Sequence, residues 1–172
     1  MTFVLPRTAG LSSMLADIHR AALSDMAGRP ERVAVAIQAH LHDPDLLAGI
    51  SCPSCPNSYI RHLLHADPDG SYAVVALIWR PGQMSPVHAH RTWCALGVYR
   101  GVLSEAFYDL PGGNVTPRQT GVVLRGHGST SCGPADPGAI HRLANLSGEE
   151  AISFHVYGAR FDRFGQDVNH VF

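Results

Sequence analysis

The sequence predicts a mainly β fold: an antiparallel sandwich or small barrel with two helices packed outside it. Three observations carry that expectation. After residue 57, short apolar or alternating runs recur at near-regular spacing, Gly and Pro turns separate them, and no stretch of helical period intervenes. Before residue 50 the apolar period is that of a helix. A chain of 172 residues with no internal repeat or low-complexity linker makes one domain the default, with a helical segment over 1–50 and a barrel over 57–172.

The first helix is expected from Leu11, Met14, Leu15, Ile18 and Leu23, with Ser12 or Ser13 as its N-cap. A second starts at Pro30, which suits a first turn, and puts Val33, Ile37 and Leu41 on one stripe until Asp43-Pro44 stops it. Cys52-Pro53-Ser54-Cys55 lacks the second thiol pair a zinc site needs and the preceding strand of a redox motif, so it reads as an incidental loop pair. Residues 59–64 alternate as a strand, and Tyr72 to Trp79 is a continuous apolar run, the pattern of a strand buried on both faces. Further strands are expected at 86–91, 94–100, 102–109, 119–124, 139–144 and 150–157. Turns at Pro111-Gly112-Gly113-Asn114, Gly126-His127-Gly128 and Ser147-Gly148 divide the later ones.

Composition narrows the function. The formal net charge is −1, with no basic block or acidic tail, so neither nucleic acid nor a membrane surface is expected as the partner; a small molecule is. Residues 1–15 lack the apolar core and cleavage site of a secretory signal, and no apolar run is long enough to span a bilayer, so a cytoplasmic protein with reduced cysteines is expected, monomeric or weakly homo-oligomeric. The 11 histidines exceed what packing or solubility requires.

Two of them organise the chain. His88 and His90 alternate along a strand, so both imidazoles point to one face, which is half of a metal site. Five residues separate Gly82 from His88, three lie between His90 and Cys94, and six more lead to Gly101. This resembles the first signature of the cupin superfamily, with Cys94 where most cupins carry a metal-binding glutamate. Gly138, His141 and Asn145 resemble the second signature, with Asp136 where that pattern has proline. A set of three imidazoles and no carboxylate leaves a divalent metal its full charge and open positions, which argues against the 2-oxoglutarate oxygenases with their two histidines and one carboxylate.

Four pieces then make the chain similar to one cupin family, the cysteine dioxygenases and the related mercaptopropionate dioxygenases, over roughly residues 58–160. They are Tyr59 and Arg61 followed by Leu63-Leu64; Trp79-Arg80-Pro81-Gly82 leading to His88 and His90; Ile140-His141-Arg142 with Asn145-Leu146-Ser147; and Ser153, His155 and Tyr157 alternating on one strand face. The resemblance implies a cupin jelly roll, Fe(II) held by His88, His90 and His141, and dioxygen as co-substrate. It implies that Arg61 grips a thiol carboxylate, a task for which a planar guanidinium suits. Tyr59 would line the same pocket, and Ser153, His155 and Tyr157 would form a relay that aims the tyrosine hydroxyl at the reacting atoms. The implied reaction is oxidation of the thiol of L-cysteine to the sulfinate.

Alternatives stay open at this point. Residues 88–93, ending in Trp93, look more like the bacterial mercaptopropionate branch, while Arg61 favours cysteine because it touches substrate; 3-mercaptopropionate is the alternative substrate. A metal-bearing cupin without turnover, or a zinc or nickel site, are the others. Animal cysteine dioxygenases link a cysteine to the active-site tyrosine; Cys94 lies one residue nearer His90 than that pattern has it, so a buried inert thiol is expected rather than a thioether to Tyr157. Arg160 and Arg163 follow the relay but are expected in solvent, as are His127 and His170, and His62 alternates away from Arg61.

Overall fold

A computed structural model describes residues 7–112 and 116–172. Within it the chain runs α1 (Ala9–Ala22), α2 (Arg29–Gln38), β1 (Ile60–Ala66), β2 (Ala73–Trp79), β3 (His88–His90), β4 (Cys94–Arg100), β5 (Leu103–Asp109), β6 (Arg118–Arg125), β7 (Thr130–Gly133), β8 (Asp136–Ala144), β9 (Ala151–Tyr157), a short helical turn from Phe161 to Arg163 continuing into α3 (Phe164–Asp167), and β10 (Asn169–Val171). The strands form two five-stranded antiparallel sheets, ordered β1-β2-β9-β4-β7 and β10-β3-β8-β5-β6. This is the mainly β jelly roll with two N-terminal helices that the sequence predicts.

Three layers result. The helices cover one face of the first sheet: Leu11, Met14, Ile18, Val33 and Ile37, with Leu41 from the turn after α2, pack on Tyr72, Val74, Ala76, Ala95, Phe154 and Val156. The other face of that sheet, bearing Val75, Leu77, Trp79, Leu96 and Val98, packs on Leu103 and Leu143 of the second sheet. Because the first sheet is covered on both sides, β2 and β9 are buried along their whole length, and continuous apolar sequence replaces alternation in β2. Burying a large aliphatic side chain contributes about 1.5–3 kcal/mol, so the helical stripe alone accounts for much of the helix docking. Close contact between α2 and β4 depends on Gly97, where a Cβ would stand 2.5 Å from Ile37 Cγ2.

Several expected boundaries move. The N-cap of α1 is Thr8, whose hydroxyl accepts from Leu11 N, rather than Ser12 or Ser13, and Leu23 ends the helix in solvent. Helix α2 stops at Gln38; Leu41 remains buried, but in the turns that follow. The strand expected over 86–91 narrows to His88–His90, and that expected from 139 begins at Asp136. Strands β7 and β10 were not expected: Thr130–Gly133 and Asn169–Val171 are too short and polar to declare themselves, and each exists by pairing along an already formed neighbour. The turn expected at residues 111–114 lies partly outside the described residues. Gly82 and Gly101 do sit at turns, with φ of 83° and 77°, a left-handed backbone that other residues adopt at a cost.

Candidate metal centre and active site

The second sheet brings the three histidines together. His88 and His141 are direct cross-strand partners between β3 and β8; His90, on the same face of β3 as His88, pairs with Asp136, so the break in register lies on β8 between Asp136 and His141. Their ligand-capable nitrogens all lie within 4.8 Å of one another, and the three side chains are buried. Among the described residues no other trio of His, Cys, Asp or Glu gathers this closely.

The outer nitrogens fix which inner ones are free. His88 Nδ1 lies 3.0 Å from the carbonyl of Pro86, and His141 Nδ1 lies 2.9 Å from Glu105 Oε1. Both acceptors require a proton on Nδ1, leaving Nε2 as a lone pair aimed inward. His90 Nδ1 and Asn169 Oδ1 are buried without partners on residues that face each other across β3 and β10, a donor and acceptor in matching positions. His90 Nε2 and His141 Nε2 then stand 3.0 Å apart. At that distance the pair can share either a proton or a metal ion, and His141, whose Nδ1 proton is committed to Glu105, turns a lone pair toward it. Burial pushes His88 down to about 4 and His90 down to about 3, with the adjacent imidazoles adding to the effect, so both are neutral and ligand-competent at neutral pH. The donor set therefore fits a divalent transition metal.

Glu105 was not singled out by sequence reasoning. It is 1% exposed, and besides His141 it takes a hydrogen bond from Ser131 Oγ at 3.1 Å and an ion pair from Arg125 at 2.7 Å. Burial alone would raise its carboxyl, but the bond from His141 and the Arg125 charge outweigh that and hold it below the usual range. A signal was present: on β5, Glu105 alternates in phase with Leu103 and Phe107, an acid on an apolar face.

The first sheet supplies the opposite wall. A small cavity of about 20 Å³ is lined by Tyr59, Arg61, His88, His90, His141, His155 and Tyr157. Arg61 donates to Tyr59 Oη at 3.2 Å, and its buried Nε has no partner. Among the described residues no carboxylate pairs with that guanidinium. Tyr59 in turn stacks on Trp79, with ring centroids 4.4 Å apart. On β9 the alternation predicted for Ser153, His155 and Tyr157 turns all three inward, at 0%, 3% and 5% exposure, while Phe154 and Val156 face the helices. A polar face pointing inward must be satisfied, and this one is. Trp79 Nε1 donates to Ser153 Oγ at 2.9 Å, Ser153 Oγ meets His155 Nε2 at 2.8 Å, and His155 Nδ1 meets Tyr157 Oη at 3.0 Å. Burial and then the Arg61 charge drive His155 well below its ordinary value, and burial raises the Tyr157 phenol, so both stay neutral.

Cys94 lies directly opposite Tyr157 in the β4–β9 register, buried, and burial pushes its thiol up to about 12. Trp93 faces away, into the helix-covered core, and does not line the cavity that holds Arg61. Arg160 and Arg163 are exposed and paired with Asp162 and Asp167. His62 points to the Pro53 carbonyl, Cys52 and Cys55 are free thiols in a loop, and His127 and His170 are on the surface. No helix among the described residues is long and apolar enough to cross a membrane.

Known proteins resemble the chain at two levels. A solved structure from Thermus thermophilus is 19% identical, with 63% of this chain and 90% of that chain covered and a TM-score of 0.49. A conserved Klebsiella pneumoniae protein with a double-stranded beta-helix domain is 22% identical over 63% of this chain and 84% of that one, with a TM-score of 0.45. An oxalate oxidase bound to glycolate is 19% identical over 63% and 55%, with a TM-score of 0.46. The family model described as cysteine dioxygenase type I matches residues 12–166, a range that takes in most of α1, all of α2 and strands β1 to β9. With that match running through every element that carries the histidines, Arg61 and the Ser153-His155-Tyr157 face, the chain belongs to the cysteine dioxygenase type I family.

Proposed function

We propose that this chain is an iron(II)-dependent thiol dioxygenase that oxidises the thiol of L-cysteine to the sulfinate. The observation that carries the reading is the meeting, in one cavity, of three buried imidazoles and a partly buried guanidinium with no carboxylate partner among the described residues. Iron(II) held by His88, His90 and His141 supplies open positions for a thiolate and dioxygen, and sulfur supplies all the electrons that dioxygen takes up.

The protein's own groups bind and orient. Arg61 holds the substrate carboxylate, which satisfies its orphaned Nε, and the stack of Tyr59 on Trp79 fixes the approach of that guanidinium. Ser153, already accepting from Trp79, donates to His155 Nε2; His155 then donates from Nδ1 to Tyr157 Oη. That direction leaves the Tyr157 proton free to donate into the cavity, toward the thiol and oxygen. Cys94 serves as a buried unreacted thiol beside it.

A second reading, 3-mercaptopropionate as substrate, is favoured by one observation: among the described residues no carboxylate lines the cavity to receive a substrate amine. Metal analysis of protein purified without added metal, followed by oxygen uptake with L-cysteine, 3-mercaptopropionate and cysteamine, tests both. Iron with fastest uptake on L-cysteine and almost none on cysteamine, which lacks the carboxylate, is the expected result. Iron-loaded protein that consumes oxygen with none of these thiols is a metal-binding cupin without this activity.

A further inference from the structure

A second cavity reaches two of the same histidines, His90 and His141. It has a volume of about 100 Å³, and it shares His90, Cys94, Leu96 and His141 with the Arg61 cavity as a common wall. Its rim is at the surface, where Cys132, Pro134 and Ala139 are exposed, and its walls descend past Phe107 to buried Leu96 and Cys94. The result is a funnel from solvent to the imidazole cluster.

The chemistry of its lining differs from that of the Arg61 side. The polar side chains that border it beside the histidines are already engaged: Glu105 is taken up by His141, Ser131 and Arg125, and the Ser131 hydroxyl donates to Glu105. What faces the space is aliphatic, aromatic or thiol. Among the described residues no cation lines it to hold a carboxylate, and the charge nearest the floor is the anionic Glu105. A thiol carboxylate is therefore disfavoured there. A cavity of this size whose walls offer few hydrogen bonds suits small apolar molecules better than water.

We propose that this funnel is the route by which dioxygen reaches the histidine cluster, separate from the route of the thiol. The identity of the gas rests on the dioxygenase reading above; the affinity of the funnel for a small apolar gas does not. The Arg61 cavity is small, so a bound thiol carboxylate fills it and blocks that side. A second entrance lets dioxygen arrive after the substrate is seated.

Two experiments test the funnel. Crystals of the metal-free protein pressurised with xenon show a xenon atom between Leu96, Phe107 and Ala139; absence of xenon from that space overturns the proposal. Ala139→Trp closes the rim at an exposed position, and Cys132→Phe does so from its opposite side if the first variant folds poorly. In the iron-loaded variants the KM for dioxygen rises by roughly threefold or more, while the KM for the thiol and the iron content hold. An unchanged KM for dioxygen in a well-folded plugged variant overturns the route. Failure of the dioxygenase reading looks different: the wild-type protein consumes no oxygen with any thiol, whatever xenon does.

Discussion

Replacing Glu105 by alanine separates holding a metal ligand from holding the fold. The carboxylate is buried and serves His141, Ser131 and Arg125 together, so the change orphans an imidazole N–H and a guanidinium in one step. Breaking a buried ion pair from one side costs roughly 3–5 kcal/mol. Arg125 is 22% exposed and also donates to the Thr130 carbonyl at 3.1 Å, which puts the loss near the lower bound. At about 2–4 °C per kcal/mol for a chain of this size, Tm of the metal-free protein falls by about 6–12 °C. Release of the His141 ring from its tautomer and orientation lowers metal affinity by about 10–100-fold. Glu105→Gln keeps an acceptor for His141 Nδ1 while giving up the ion pair, so it restores most of the affinity and only part of the stability. Competition with a chelator reads the affinity, and calorimetry of the metal-free protein reads Tm. If Glu105→Ala loses stability but binds iron as tightly as wild type, Glu105 does not orient His141 and the argument is wrong.

Four other outcomes follow from the same geometry. Arg61→Ala raises the KM for L-cysteine by about 10–100-fold, the worth of a charge-assisted hydrogen bond, with iron content unchanged; an unaltered KM removes the carboxylate clamp. His155 is neutral in the fold and held well below its ordinary 6.5, so the unfolded chain binds the extra proton: its contribution is complete above that value and is lost as pH falls below it. His155→Phe accordingly flattens the acid limb of a urea stability profile, and a limb as steep as wild type would falsify this. The Cys94 thiol, pushed to about 12, resists a thiol-reactive disulfide at pH 8 in the folded protein, and the intact mass matches the sequence; a mass short by a pair of hydrogens reveals a thioether to Tyr157 instead. Gly97→Val forces α2 away from β4 and costs about 1–3 kcal/mol without changing metal affinity, as denaturant melts and chelator competition together report.

Legibility in the sequence followed the range of each interaction. His88 and His90 were readable because a strand puts alternate residues on one face, and Ser153, His155 and Tyr157 were readable for the same reason. His141 needed the resemblance to a known motif, since nothing local ties residue 141 to residue 88; the β3–β8 register does. Glu105 stayed hidden because its partners come from β8, β6 and β7, and an isolated acid on a strand usually means solvent. Periodicity alone could not show which face of β9 was inward, because polar residues there face the site and apolar ones face the helices, the reverse of a sheet with one wet side; the three histidines and the resemblance pointed to the polar face. The cap of α1 falls at Thr8 rather than at Ser12 or Ser13 because Leu11, ahead of both serines, is already buried on the helix.

The imidazoles are carried by one sheet, while Arg61, Tyr59 and the Tyr157 chain are carried by the other. Inheritance can therefore revise the two independently. Exchanges on β1 that recast which ligand is accepted would leave the β3–β8 register intact, so a new diet would not require a new way of holding a metal. Such a division gives the scaffold a low barrier to diversification, with the metal ligands kept on one leaf and the groups around them free to drift on the other.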